Sequence, residues 1–149
     1  MVNFAIQVFR NQVFVTVLAA WFIAQSAKVF LGVIAEKRFN FKWFVDTGGM
    51  PSSHAATVSA LATAIGLKFG FASPIFAITL VFAWIILMDA QGFRRSAGKQ
   101  AEILNVVLDD IYWKKRIKEE RLKELLGHTP VEVLIGATIG ILVAIIFKG

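Results

Sequence analysis

The chain contains two histidines, and each stands just before an apolar stretch. His54 closes "GGMPSSH", residues 48–54, and His128 lies in "GHTPVE", residues 127–132. Both segments read as helix starts. A helix start leaves backbone N–H groups without intrahelical partners and carries about half a unit of positive charge, so an oxyanion is favoured there. Ser52 and Ser53 can cap such a helix or offer hydroxyls to phosphate oxygens, while Gly48 and Gly49 let the backbone approach a ligand closely. His54 then points into the pocket. In the second segment Thr129 suits the N-cap and Pro130 the first turn. Glu132, four residues beyond His128, can hold the imidazole in one tautomer, the arrangement of a nucleophile or base with its orienting carboxylate. Read one segment at a time, the serines, histidines and glutamate serve equally well as capping and first-turn residues.

Other polar residues fall at the same boundaries. Lys28 interrupts an apolar stretch, which is costly unless the amine pairs, snorkels or lines a wet cavity; it is a candidate phosphate ligand, with snorkelling as the rival. Arg94 and Arg95, in "DAQGFRRSAGKQ", can clamp phosphate bidentately or merely flank a span. Asp89 suits orientation of an arginine, and Arg38 and Asp46 are supporting candidates in the loop before Gly48. A metal site built from Asp46, Asp89 and the histidines is the weaker reading of the same residues, so none is expected.

The elements that must position these groups are membrane helices. Of 149 residues 57% are hydrophobic and 17% charged, too apolar for an ordinary soluble domain of this size. Apolar stretches at 13–35, 54–72, 74–90 and 130–147 approach the roughly 20 residues that a bilayer crossing needs. The first is too long, and too interrupted by Gln25, Ser26 and Lys28, to be a cleaved leader. A further segment, about 101–126, alternates charges with apolar residues at helical spacing and reads as an amphipathic interfacial helix. "FNFKWF" at 39–44 reads as an interfacial anchor on the same side. The expected fold is therefore all-α: one membrane domain of about four transmembrane helices plus an amphipathic helix. Ala56, Ala60, Ala64, Gly136 and Gly140 are spaced for close helix packing.

The formal charge of +6 accompanies no nucleic-acid motif, and the basic residues flank the spans. Most lie in the 36–53 and 91–129 segments, whereas Arg10, Lys68 and Lys148 fall on the other side. By the positive-inside rule the loops carrying the candidate site face the cytoplasm and both termini lie outside, although bases recruited to phosphate would create the same bias. There is no cysteine, which removes disulfides and thiolate chemistry together.

The stretches "DTGGMPSSHAATVSALA", "DAQGFRRSAGKQAEILN" and "LKELLGHTPVEVLIGATIG" together resemble the type-2 phosphatidic acid phosphatase superfamily, and more closely its small divergent branch of membrane proteins. The resemblance implies His128 as the nucleophile, giving a phosphohistidine, with Glu132 orienting it and His54 protonating the leaving alcohol. It implies Lys28, Ser52, Ser53 and an arginine around the equatorial oxygens, without a metal or other cofactor. Ser53 stands where the superfamily usually has glycine, and Glu132 where it usually has aspartate.

The expected function is that of an integral, multi-pass membrane phosphatase, in the cell's inner membrane, acting on a lipid phosphate or pyrophosphate. A non-catalytic lipid-phosphate-binding protein that retains the anion pocket is the alternative, and a small transporter component using Lys28 is a weaker third. Expected partners are the lipid and the membrane, not nucleic acid; a homodimer stays open.

Overall fold

A computed structural model describes residues 3–37, 39, 49–112 and 128–148, and the described residues are helical apart from turns and caps. In chain order the helices are α1 (Phe4–Arg10), α2 (Gln12–Glu36), α3 (Ser53–Phe69), α4 (Pro74–Tyr112) and α5 (Pro130–Ile146). The membrane class expected from composition holds: α2 is long and apolar enough to cross a bilayer, and Pro74–Ala90 and Pro130–Ile146 are shorter apolar helices.

Local chemistry sets the boundaries. Asn11 separates α1 from α2, its side-chain oxygen accepting from the Val13 and Phe14 N–H groups at 3.1 and 3.3 Å. Ser52 caps α3, accepting from the Ala55 N–H at 3.3 Å. Gly70 ends α3 at φ +87°, which glycine adopts without steric cost, and its N–H donates to the Gly66 carbonyl at 2.9 Å. Ser73 opens α4 by accepting from the Phe76 N–H at 3.3 Å. α5 starts with a complete capping box: Thr129 Oγ1 accepts from the Glu132 N–H, and Glu132 Oε2 accepts from the Thr129 N–H.

One expected break is absent. The sequence places an apolar span at 74–90 and a separate amphipathic helix from about 101, but α4 runs unbroken for 39 residues through both. Gly92 and Gly98 weaken the intervening stretch by about 1 kcal/mol each relative to alanine. No proline interrupts it, and Gln91, Arg94, Arg95, Ala97, Lys99 and Gln100 are good helix formers. The remainder of the amphipathic segment, 113–126, and the aromatic anchor at 40–44 lie outside the described residues.

The bundle is organised around α3. Its register with α5 is parallel: the Ser52 N–H donates to the Glu132 carbonyl at 3.1 Å, Ala55 packs with Val133, and Ala60 with Val143. α2 runs antiparallel to both, with Ala20 against Ala60 and Lys28 reaching Gly49. α4 is also antiparallel to α3, Ala83 packing on Val58 and Ala62, and Ala90 on Ala55. The interior consists mainly of small residues, among them Ala20, Ala24, Ala55, Ala56 and Ala60, each 0% exposed. Large apolar side chains such as Phe22, Ile78, Trp84, Leu134 and Ile146 face outward. Small residues inside and large apolar residues outside is the packing expected where lipid, not water, surrounds the helices.

Candidate functional site

This topology brings three element ends to one place: the starts of α3 and α5 and the last third of α2. The segment before α3 turns through Gly49 at φ +88° and a cis Met50–Pro51 peptide. Pro51 and Ser52 are fully buried and Ser53 nearly so. A side chain at Gly49 would meet the Lys28 stem, 3.7 Å from its Cγ, so the lysine runs directly beneath the glycine. Lys28 is only 6% exposed, and Gln25, one turn earlier on α2, is 4% exposed. In the sequence Gln25 is only an interruption of the span; its burial on the Lys28 face is evident from the fold alone.

His128 immediately precedes the α5 capping box and is buried. Its Nδ1 lies 3.2 Å from Glu132 Oε2, the same oxygen that accepts from the Thr129 N–H at 2.9 Å. An ionised carboxylate can only accept, so it places the imidazole proton on Nδ1 and leaves the Nε2 lone pair available. Nε2 is itself sealed from solvent. The His54 ring stands 6.4 Å from the His128 ring, centroid to centroid, tilted by 53°. His54, unlike His128, is exposed. The two histidines, 74 positions apart in sequence, thus share one end of the bundle.

The close approach of α3 and α5 that makes this possible depends on two glycines. A Cβ at Gly136 would collide with the Ser52 carbonyl, and one at Gly140 with the Ala56 carbonyl. Both contacts are with backbone, which has no rotamer through which to yield.

The other sequence candidates divide. Arg94 and Arg95 lie on the α4 backbone about one turn beyond Ala90, which packs on Ala55 and Val133 at the level of the site. Asp89 is exposed at the same level of α4. Arg38 and Asp46 lie outside the described residues. Among the described residues no group of three or more histidines and carboxylates is placed to hold a metal.

The fold and this end of the bundle define a class: an all-helical membrane protein with a carboxylate-held histidine and a second histidine where two capped helices begin. Within that class the chain belongs to the divergent PAP2 family, whose model matches residues 9–143. It is similar to the uncharacterized membrane protein YuiD of Bacillus subtilis (strain 168), 39% identical over 140 residues covering 87% of this chain and 89% of the relative. No solved structure matches.

Proposed function

We propose that the protein is a multi-pass membrane phosphatase that hydrolyses a lipid phosphate or pyrophosphate through a phosphohistidine. The observation that carries this reading is the pairing of Glu132 with His128 Nδ1, 3.2 Å apart, beside His54 at the joint start of α3 and α5. In the first step the head group displaces the side chains that seal His128 Nε2, and the Nε2 lone pair attacks phosphorus, forming an N–P bond as the bond from phosphorus to the lipid oxygen breaks. His54, protonated, gives its proton to that departing oxygen, so the lipid leaves as an alcohol, or as a monophosphate when the substrate is a pyrophosphate. In the second step His54 takes a proton from water, the water oxygen attacks phosphorus, and the N–P bond breaks to release inorganic phosphate. The Glu132 carboxylate steadies the positive charge that His128 acquires in the intermediate. Lys28, Ser52, Ser53 and the arginines of α4 supply charge and hydrogen bonds for the equatorial oxygens, which carry the developing negative charge. The exposed His54 faces an incoming head group, while the apolar outer surface of the helices keeps the tail in lipid.

The test is inorganic phosphate release by the purified protein in detergent, offered phosphatidate, phosphatidylglycerol phosphate and polyprenyl pyrophosphates. His128→Ala is expected to reduce release to the level without protein. His54→Ala is expected to reduce it by about 10²- to 10⁴-fold. An aryl phosphate, whose phenolate leaves without a proton, should recover much of the His54→Ala loss and none of the His128→Ala loss. Binding of these lipids with no release from any of them would overturn the phosphatase reading in favour of a lipid-phosphate-binding protein.

A further inference from the structure

The far end of the bundle holds a cavity that the proposed chemistry does not use. It lies where α2 begins and where α3 and α5 end, and its volume is about 160 Å³. That is roughly ten times what a single water requires. Since α3 is 17 residues long, this cavity is about 25 Å along the bundle from the histidines. Its polar lining includes Lys68, Lys148, Gln12 and Thr16, with Ala64 and Phe147 on the apolar wall, and among the described residues no carboxylate contributes to it.

The charge balance decides what such a cavity accepts. Two helix C-termini point there, each contributing about half a unit of negative charge, against two whole positive charges on the lysines. The first N–H groups of α2 add little, because the Asn11 side chain already accepts from those of Val13 and Phe14. Among the described residues the balance remains about one unit positive. The remaining polar lining is partly committed within the protein: Thr16 Oγ1 donates to the Gln12 carbonyl at 2.8 Å, and Gln12 Nε2 donates to the Phe147 carbonyl at 3.3 Å. Both lysines are exposed, and the Lys68 ammonium leans toward the Phe69 ring at 5.7 Å, a contact that an anion between the two amines can replace or share.

We propose that this cavity is a second anion site, for a phosphate group at the membrane face opposite the histidines. A lipid head group and free phosphate offer the same chemistry. The mixed lining, with amines at the rim and Ala64 and Phe147 on the wall, suits a head group whose glycerol end enters beside the helices.

The experiment counts lipids retained by the intact protein in native mass spectra after exchange into mixed micelles of phosphatidylglycerol and phosphatidylcholine. Wild-type protein is expected to retain phosphatidylglycerol preferentially. Lys68→Gln/Lys148→Gln should weaken that retention by about 25-fold, a factor of about five for each lysine facing an anionic head group. Because both side chains are exposed, the variant keeps its fold. It should also keep its phosphate release, which separates this proposal from the phosphatase reading. Inorganic phosphate at millimolar concentration, added in a second arm, displaces the retained lipid if the site takes free phosphate, and leaves it bound if the site needs the lipid. Equal retention of phosphatidylglycerol by the wild-type and double-variant proteins overturns the proposal.

Discussion

A single oxygen, Glu132 Oε2, is shared between folding and the proposed chemistry. It completes the α5 capping box through the Thr129 N–H and also meets His128 Nδ1. The same carboxylate therefore fixes where α5 starts and which nitrogen of His128 is available. Glu132→Gln separates the two roles, since a glutamine amide oxygen can still accept from the Thr129 N–H but carries no charge to steady a phosphohistidine. We expect kcat for phosphate release to fall by about 10- to 100-fold while lipid affinity changes little and the thermal midpoint moves by only a few degrees. An unchanged kcat would remove Glu132 from the mechanism. At this scale much of the site was legible in the sequence, because capping is local: Ser52 before an apolar run, and Thr129 three residues before Glu132, announce helix starts by spacing alone. Lys28 was legible by its cost inside an apolar stretch. The pairing of Lys28 with Gly49, and the 6.4 Å between the two rings, depend on packing between distant segments, for which spacing carries no signal.

Elements bring those residues together, and here sequence and structure agree in part. The repeated small residues Gly136 and Gly140 announced close packing but named neither a partner nor a direction. The fold supplies both: α5 runs parallel to α3, with its glycines against the Ser52 and Ala56 carbonyls. The continuity of α4 was misread for a related reason. The change from an apolar run ending at 90 to a charged, amphipathic pattern from about 101 marks a change of surroundings, not of backbone, and α4 continues through it. Glycines in two settings predict different outcomes. Gly140→Ala forces a methyl group onto unyielding backbone and should separate α3 from α5, costing about 1–3 kcal/mol or more. Gly70→Ala meets open space and costs only the strain of its backbone, φ +87° and ψ 144°, of order ~1–3 kcal/mol. In detergent, thermal unfolding should therefore show the larger loss of midpoint in Gly140→Ala, accompanied by loss of phosphate release; Gly70→Ala should keep its release. The reverse order would show that the α3–α5 contact does not hold the site.

The whole molecule has two ends, and the sense in which it sits in the membrane follows from charge and length together. α3 and α5, at 17 residues each, are about 25 Å long, slightly short of a hydrocarbon core of about 30 Å. A bundle with short central helices draws the head-group layers inward, so capped starts buried among small residues can still meet a phosphate without leaving the protein interior. On the positive-inside rule we expect the basic loops on the histidine side to lie in the cytoplasm, and the end carrying Lys68 and Lys148 outside. A rival explanation is that those bases are present to bind phosphate, in which case charge says nothing about orientation. The absence of cysteine allows a direct decision between the two. Met50 and Phe71 are both exposed, at opposite ends of α3, so a single cysteine at either position reports on one face of the membrane, Phe71→Cys giving up only a ring contact with Phe76 at the end of the bundle. With a membrane-impermeant maleimide, Phe71→Cys should label in intact cells and Met50→Cys only after lysis. The opposite pattern would turn the site outward, restrict its substrates to lipids of the outer leaflet, and reduce the basic excess around it to a consequence of binding phosphate.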